Sequence, residues 1–501
     1  MAFEKEAAVE KLREIEAKQA ALSHASGLLY CDGVTIAPED SVEGRARTMG
    51  VLSEMEYELA ASPETQRLLD ELEEHADELD EQTRREVKVL RRETGKIIKI
   101  PAEEYMQYSM LTSEASNVWI KAKNDNDFAL FAPYLEKLIA ANRRMASLWN
   151  PEEEPYNVLL DSFEEGLTMT ACDAFFTTVR KGIVPLIEKI KQVRRPHEEF
   201  ALRSYPLDGQ EKLAHALMEL EGIDPKRCVL GTTEHPFTTG FNNRDLRITT
   251  HYHEKSFLSS IYSVLHEGGH AIYEMNGDDR FNYTCLYGGA SMSMHESQSR
   301  FYENIIGRSK AFSAPLLKAC REVFPEQLAD VTDEQFYREI NYSEPSLIRT
   351  EADELTYSLH VMVRYEIEKQ LIGGSLAVSD VPAVWNDLYE EYLGIRPQTN
   401  REGCLQDSHW SGGSFGYFPS YSLGSAYGAQ ILHAMKKELD PDRLVREGKI
   451  SVITDWLREH IHKYGRIKKP AELLDIACGE EFDPGYYVKY LTDKFSELYG
   501  L

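Results

Sequence analysis

The sequence predicts a mainly α-helical protein with one small β-sheet or hairpin. Apolar residues recur at three- and four-residue spacing through most of the 501-residue chain, and only one segment alternates with a period of two. The chain shows no internal repeat and no long linker. We therefore expect a single large helical unit with two lobes, spanning residues 1–501.

The helical pattern runs in segments that end at proline and turn-forming residues. The segments are 4–22, 64–95, 130–148, 171–193, 210–221, 352–371 and 428–439. The stops include NPEEEP at 150–155, IDP at 223–225 and DPDR at 440–443. Each of these stops marks the boundary between two predicted helices.

The segment 235–253, HPFTTGFNNRDLRITTHYH, breaks the helical pattern. It is rich in threonine and aromatic residues, alternates from Leu246 to Tyr252, and contains an Asn-Asn turn candidate. This composition predicts a β-hairpin. A strand beside a cleft can pair with an extended peptide through backbone hydrogen bonds, so this segment is a candidate peptide-binding element.

Composition argues against several classes of partner. The chain has 84 acidic and 56 basic residues, a formal net charge of -28, which opposes binding to nucleic acids and to anionic membranes. Seven cysteines lie far apart, with no Cys-x-x-Cys pair, as is typical of a reducing compartment. The start of the chain is an amphipathic charged pattern rather than a signal peptide. We expect a cytoplasmic protein with no nucleic-acid or membrane partner.

The strongest chemical signal is HEGGH at residues 266–270. Ser256 is a candidate N-cap and Asn276-Gly277 a stop, so the motif lies in the middle of a helix. His266 and His270 are then one turn apart, about 6 Å along the axis, and can bind one metal ion. Glu267 lies beside them and can take a proton from a metal-activated water. The motif also occurs by chance, so it is suggestive rather than decisive.

Two adjacent glycines in the motif need a separate explanation. Gly268 and Gly269 together cost a helix about 2 kcal/mol relative to alanine. We expect that another element of the protein, or the substrate, approaches the backbone at one of them too closely for a methyl group.

A third metal ligand must come from elsewhere in the chain. Glu274 is about 9 Å along the axis from the middle of the two histidines, so it is more suitable as an outer acid than as a ligand. The next helical pattern offers Glu296 and Glu303. The alternative for Glu296 is an ion pair with Arg300, four residues later on the same helix.

Together these motifs resemble the carboxypeptidase Taq family of metallocarboxypeptidases. HEGGH is followed by HESQ at 295–298, which supplies the glutamate ligand in that family. The other family motifs are also present in the family's order along the chain: HPF at 235–237, DLRIT at 245–249, IRTEAD at 348–353 and GCLQDSHW at 403–410. Weaker likeness to the family extends through residues 156–166 and 415–424. The resemblance implies one zinc ion per subunit, held by His266, His270 and Glu296. Cobalt or manganese would fit the same ligands.

The resemblance also implies a fold and an activity. The fold would be a large two-lobed helical peptidase with a deep central groove, similar to angiotensin-converting enzyme and neurolysin. The helices of about residues 1–150 would cover the groove, and the metal site would lie within 235–425. The activity would be removal of single residues from peptide C-termini with broad side-chain preference, by a homodimer. At 31–38 the chain reads CDGVTIAP, where many members have Trp-Asp followed by Met-Pro.

Glu267 would be the general base, and the oxyanion needs a hydrogen-bond donor. Tyr417 is the first candidate, because Tyr-Phe-x-Ser at 417–420 looks like the segment that carries the catalytic tyrosine of angiotensin-converting enzyme. His409 is a second donor and Tyr421 a further candidate. The alternative for these aromatic residues is packing beneath a glycine-rich loop.

Three further residues are candidates for substrate binding. Arg349 can bind the substrate carboxylate through two hydrogen bonds, or form an ion pair with Glu351 or Asp353. Arg247, which can pair with Asp245, and His235 are candidates beside the groove.

Other functions fit the same residues. One alternative is an endopeptidase or a dipeptide-releasing peptidase on this scaffold, and another is a non-catalytic peptide-binding metalloprotein.

Overall fold

The computed structural model describes residues 3–501, and the chain is mainly helical over them. Before the sheet the helices are α1 (Lys5–Thr35), α2 (Val42–Ala61), α3 (Pro63–Glu74), α4 (Glu81–Ile98), α5 (Ala102–Asp125), α6 (Phe128–Trp149), α7 (Pro155–Phe163), α8 (Met169–Val193) and α9 (Leu207–Glu221). After the sheet they are α10 (Phe257–Met275), α11 (Met292–Arg300), α12 (Lys310–Val323), α13 (Asp333–Ile340), α14 (Tyr357–Gly373), α15 (Val381–Leu393), α16 (Pro419–Met435), α17 (Pro441–Arg446), α18 (Ile450–His460), α19 (Pro470–Cys478) and α20 (Gly485–Tyr499). The mainly α prediction is confirmed.

A three-stranded sheet follows α9, with strands β1 (Cys228–Thr232), β2 (Thr238–Asn242) and β3 (Asp245–Thr250) in the order β1-β3-β2. β2 and β3 form the predicted hairpin, with Thr239 opposite Arg247. β1, which the sequence did not reveal, pairs with β3 in parallel. β2 is therefore an edge strand, and it packs against α10.

The buried apolar residues form one large core and two smaller clusters. The larger core runs from α5 to α20. A separate, smaller cluster joins α1, α3 and α4; it consists of Ala8, Leu12, Ile15, Leu68, Leu69, Leu72, Leu79, Val87 and Leu90. α2 buries only Ala60, and α5 only Ala115 and Ala122.

A cavity of about 820 Å³ lies between these two groups of helices. One wall is α4, which contributes Arg85, Arg92 and Lys96. The opposite side is formed by α10, α11 and the start of α16, and β2 contributes Thr238. The cavity thus brings the N-terminal helices to the helix that carries HEGGH.

Over residues 3–501, no helix combines the length and the apolar character that a membrane crossing requires. All seven cysteines have free thiols, six of them buried.

Candidate active site

α10 carries HEGGH in its buried middle, as predicted. Its first residue follows Ser256, but the Ser256 side chain accepts no capping hydrogen bond, so only the position of the cap was right. The helix ends at the predicted stop, with Asn276 as its C-cap. The rings of His266 and His270 lie on one face with centroids 5.0 Å apart.

Three side-chain atoms converge beside this face. The Nε2 atoms of His266 and His270 each lie 3.6 Å from Oε2 of Glu296, which α11 supplies. The candidate ligand atoms of these three residues all lie within 4.8 Å of one another. Atoms bound to one zinc ion at about 2 Å must lie about 3 to 4 Å apart, and the two histidine-to-glutamate distances of 3.6 Å meet this requirement.

The electrostatics at His266 favour a cation. Burial lowers the pKa of His266, but the carboxylates of Glu296 and Glu303 outweigh it and raise that pKa to about 9. An electrostatic potential that stabilises a proton at this position also stabilises a divalent ion.

His266 is held from behind by a carboxylate. Its Nδ1 lies 2.8 Å from Oε2 of Glu303, which belongs to a π-helix, Phe301–Ile306, that follows α11 directly. Arg300 donates from Nη1 to the same oxygen at 3.0 Å. Burial raises the pKa of Glu303, but Arg300 and His266 lower it to about 2, so Glu303 accepts the proton on Nδ1 and leaves Nε2 free for a metal.

His270 is held by a chain of three groups. Its Nδ1 lies 2.7 Å from Nδ1 of His295. The Nε2 atom of His295 lies 3.0 Å from Oε1 of Glu274, and Tyr287 donates its hydroxyl to Oε2 of Glu274 at 2.6 Å. Glu274 is therefore an outer acid, as predicted, and not a ligand.

The two oxygens of Glu296 have different partners, so the ion pair with Arg300 is confirmed and does not prevent the other oxygen from binding a metal. Nε of Arg300 donates to Oε1 at 2.7 Å, which is the ion pair predicted from the four-residue spacing. Oε2 faces the two histidines and accepts from Ser299 at 3.0 Å. The arginine thus holds the carboxylate with one oxygen directed toward the metal position.

The adjacent glycines of α10 lie where other parts of the protein come close. A Cβ on Gly269 would be 2.6 Å from the carbonyl oxygen of Gln298 and 2.7 Å from Cα of Ser299, both backbone atoms of α11. A Cβ on Gly268 would overlap the carboxylate of Glu221. The prediction of a close backbone approach is confirmed at Gly269, and the approaching backbone belongs to α11, next to Glu296.

Glu267 lies beside the candidate metal position and lines the cavity. Its Oε2 accepts a hydrogen bond of 2.6 Å from Thr238 of β2. Burial raises the pKa of the Glu267 carboxyl, against the opposing effects of His266 and Thr238. A buried carboxylate with one oxygen held and a raised pKa has the properties of a general base.

Tyr417 and Tyr421 line the same cavity as the three converging side chains. Burial and the charge of Glu296 raise the pKa of Tyr417 to about 12, so it is a neutral hydrogen-bond donor. Tyr421 has its hydroxyl 3.0 Å from Nε2 of His409. Burial and Arg349 lower the pKa of His409 to about 4, so its imidazole is neutral. His409 does not line the cavity itself, and it contacts the cavity-lining Tyr421.

The chain matches the family of carboxypeptidase Taq (M32) metallopeptidases over residues 11–495. It belongs to this family.

Relatives in the family are similar over nearly their whole length. Carboxypeptidase 1 of Bacillus subtilis is 43% identical over 481 residues, 96% of this chain and 96% of that protein. Thermostable carboxypeptidase 1 of Pyrococcus furiosus is 38% identical over 493 residues, 97% of this chain and 98% of that protein. The crystal structure of the M32 carboxypeptidase from Deinococcus radiodurans R1 has a TM-score of 0.96 at 35% identity, covering 99% of this chain and 100% of that chain. The protein is a metallocarboxypeptidase.

In this M32 metallopeptidase, Arg349 is buried and engaged within the protein. Its Nε and Nη2 donate to Oδ1 of Asp407 at 3.0 and 2.9 Å, and Nη1 donates to Tyr357 at 3.0 Å. The ion pair is therefore with Asp407, and not with Glu351 or Asp353 as the local sequence suggested. Its contact with a substrate stays a prediction.

His235 and Arg247 do not line the cavity. His235 is exposed, whereas the next two residues, Pro236 and Phe237, do line it. Arg247 lies on β3 and pairs with Asp245 at 2.8 Å, as expected. Substrate contacts of both residues stay predictions.

Sequence reasoning in this M32 metallopeptidase missed several residues that build the site. His295 stands in the HESQ motif without an assigned role, and Glu303 was considered only as a ligand. Thr238 holds Glu267, but a lone threonine gives no signal for that. Gly424 of α16 lies where a Cβ would be 2.6 Å from Cβ of Glu296. The small residues around it, GSA at 424–426, were the available sign of a close helix contact.

Proposed function

We propose that this enzyme is a zinc-dependent carboxypeptidase that removes single C-terminal residues from peptides with broad side-chain preference. One observation carries the proposal. The Nε2 atoms of His266 and His270 and the Oε2 atom of Glu296 converge beside Glu267, at a cavity wide enough for a peptide.

Each of the predicted active-site residues has a defined task in amide hydrolysis. A zinc ion held by His266, His270 and Glu296 would supply Lewis acidity, and cobalt or manganese would fit the same ligands. Glu267 takes a proton from the attacking water and passes it to the leaving amine. Tyr417 donates a hydrogen bond to the oxygen that gains negative charge.

The other predicted residues would position a second hydrogen-bond donor and bind the peptide. His409 positions Tyr421, whose hydroxyl group is a further donor beside Tyr417 in the cavity. Arg349 would bind the α-carboxylate of the substrate, which requires the carboxylate to share or replace Asp407 as its partner. His235 and Arg247 would contact residues farther along the peptide.

The edge strand β2 supports a peptide bound in an extended form. Thr238 of β2 hydrogen-bonds to Glu267, so this edge lies beside the catalytic carboxylate. A peptide can add to such an edge through backbone hydrogen bonds alone, which is consistent with broad side-chain preference.

We further propose that residues 1–501 act as one catalytic unit, with the helices of about residues 1–150 covering the groove. The family resemblance supports a homodimer. The seven free cysteines support a cytoplasmic location.

The decisive test combines metal analysis with peptide mass spectrometry. The wild-type protein should contain about one zinc per subunit and produce a ladder of one-residue losses from the C-terminus of a defined peptide. Glu267→Gln should keep its metal and lose hydrolysis by about 10³-fold or more. Normal turnover in that variant would refute the mechanism.

The runner-up, an endopeptidase or dipeptide-releasing enzyme, is tested at Arg349. We expect Arg349→Lys to lower kcat/KM on peptides with a free carboxylate and to leave amidated peptides uncleaved, as in the wild type. Cleavage of amidated peptides by the wild type would favour the runner-up. Thermal unfolding of the variant reports separately on the buried ion pair with Asp407.

A further inference from the structure

α4 is a strongly basic helix in an acidic protein. Residues 84–99 read RREVKVLRRETGKIIK, with seven basic residues and only Glu86 and Glu93 as acids, whereas the whole chain has a net charge of -28. Glu86 is buried among the N-terminal helices and is not available to neutralise the surface of α4. The helix therefore presents a concentrated positive charge.

This charge faces the active site. Arg85, Arg92 and Lys96 of α4 line the cavity of about 820 Å³ that His270 also lines. Arg466, from the loop between α18 and α19, lines it as well. A peptide bound in the cavity would contact this basic wall on the side opposite α10.

The three arginines of the wall already have acidic partners. Arg85 donates to Glu165 at 2.8 Å, and Arg466 donates to Glu93 at 2.6 Å. Arg92 lies 3.1 Å from Asp161 and 3.8 Å from Glu165. The partners of Arg85 and Arg466 have little capacity left to neutralise another cation.

Lys96 is the cation of this wall that has no acidic partner within the described residues. Among residues 3–501 its ammonium makes no hydrogen bond or ion pair, and its aromatic contact is the Trp149 ring, with the centroid 5.8 Å away. Burial and then the charge of Arg92 lower its pKa to about 8, while Asp161 and Glu93 oppose the change only through space. A half-buried cation without a partner gains more than an exposed one from an incoming carboxylate.

We propose that Lys96, together with Arg92, forms a subsite for an acidic side chain of the peptide substrate, an aspartate or glutamate on the N-terminal side of the cleaved bond. This inference rests on the proposed function, which leaves a single residue on the other side of that bond. The α-carboxylate of that residue is assigned to Arg349, so a carboxylate at α4 belongs to the rest of the peptide.

Paired peptides test the subsite. N-acetylated pentapeptides with a C-terminal phenylalanine carry glutamate or glutamine at each upstream position in turn, and kcat/KM is measured at low salt. At one position the wild type should prefer glutamate by about fivefold or more, which corresponds to about 1 kcal/mol. Lys96→Met should reduce that ratio to about 1.

Lys88→Met is the matched control. Lys88 lies on the same helix, is exposed and does not line the active-site cavity, so its loss removes the same charge without changing the subsite. The glutamate preference should persist in this variant. A preference that falls equally in both variants would show a general charge effect and overturn the subsite.

Two further outcomes would overturn the proposal. One is a glutamate-to-glutamine ratio of about 1 in the wild type or an unchanged ratio in Lys96→Met. The other is an equal loss of kcat/KM on both members of every pair, which would mean that Lys96 binds the α-carboxylate instead. If no peptide is cleaved, the proposed function fails, and calorimetric binding of the same pairs to Glu267→Gln and to its Lys96→Met double variant still decides on the subsite.

Discussion

His266 and His270 differ in the group that contacts Nδ1, which is Glu303 for His266 and His295 for His270. If Nε2 of His270 binds a metal, its proton lies on Nδ1 and His295 must accept it. His295 then carries its own proton on Nε2 and donates to Glu274, whose other oxygen accepts from Tyr287. Each proton in this chain has one possible place, so the chain selects a single tautomer of His270.

His295→Leu tests this chain of hydrogen bonds. Loss of the acceptor for Nδ1 should free the His270 ring to rotate and weaken metal binding by about 10- to 100-fold. Competition with a chelator measures the metal dissociation constant directly, without reference to activity. His433→Leu is the control, since His433 is exposed and contacts the surface ring of Tyr486, with ring centroids 4.4 Å apart. Equal affinity in the wild type and His295→Leu would refute the role.

The glycines of α10 allow a matched comparison. Gly269→Ala places a methyl group against the backbone of α11, which cannot move without shifting Glu296. Gly268→Ala meets only the side chain of Glu221. We expect Gly269→Ala to lower the free energy of unfolding by about 1 to 3 kcal/mol, although alanine is the better helix former. Urea unfolding of the metal-loaded protein measures the change.

A second substitution, Glu221→Ala, distinguishes the effect of Gly268→Ala from that of Gly269→Ala. Removal of the Glu221 carboxylate should make Gly268→Ala neutral or stabilising, because the overlap disappears and the helix propensity of alanine remains. The same background should not rescue Gly269→Ala. Equal costs at both glycines, or rescue of both, would contradict the assignment of the two contacts.

For single residues, the sequence was sufficient to predict which side chains lie together wherever both belong to one helix. The four-residue separation of His266 and His270 places them on one face of any helix, and the same spacing pairs Glu296 with Arg300. The partner of Arg349 was not accessible in this way. Asp407 lies 58 residues later, and only tertiary packing brings the two together.

At the scale of elements, helix ends proved harder to predict than helices. The apolar spacing over 64–95 continues through two helices, α3 and α4, because both face the same small cluster. The break between them is caused by local capping, since Asp80 accepts from the backbone N–H of Thr83 at 2.8 Å and starts α4. β1 was missed because parallel pairing with β3 depends on a partner outside the hairpin.

α1 and α4 share a buried ion cluster with unequal charges. Arg13 of α1 contacts the carboxylates of both Glu16 and Glu86, and both acids are buried. One guanidinium cannot neutralise two carboxylates. Burial, and then the charge of Glu16, raise the pKa of Glu86 from 4.5 to about 7.

Glu86→Gln should therefore stabilise the protein in a pH-dependent way. A carboxyl group with a raised folded-state pKa contributes most to stability below its unfolded pKa of 4.5, and the contribution is lost as the pH rises through about 7. The shift limits the gain from Glu86→Gln at pH 8 to about 3 kcal/mol, with little change at pH 5. Urea unfolding at the two pH values measures it, with Glu74→Gln on exposed α3 surface as the control. A gain that does not depend on pH would contradict this account.

At the scale of the whole molecule, the active-site cavity lies between parts with different cores. α1, α3 and α4 pack around their own cluster, while α10, α11 and α16 belong to the larger core. Ion pairs such as Lys468 with Glu81, at 2.6 Å, connect the two parts. This architecture lets the N-terminal helices contribute Arg92 and Lys96 to the cavity without packing against His266, His270 and Glu296.

Metal removal should therefore act on one part of the molecule and not on the other. The charges of Glu296 and Glu303 act on Glu267, and a cation held beside the three carboxylates would compensate this negative charge. At a metal concentration 100 times the dissociation constant, binding stabilises the native state by about 2.7 kcal/mol, and a chelator removes this contribution. We expect chelation to raise backbone hydrogen exchange, measured by mass spectrometry, in α10 and α11, and to leave exchange in α1, α3 and α4 unchanged. Equal acceleration in both groups would show that the two cores unfold as one cooperative unit. Readdition of zinc should restore the protection of α10 and α11, because the ligands that lose the ion are the same side chains that join these helices.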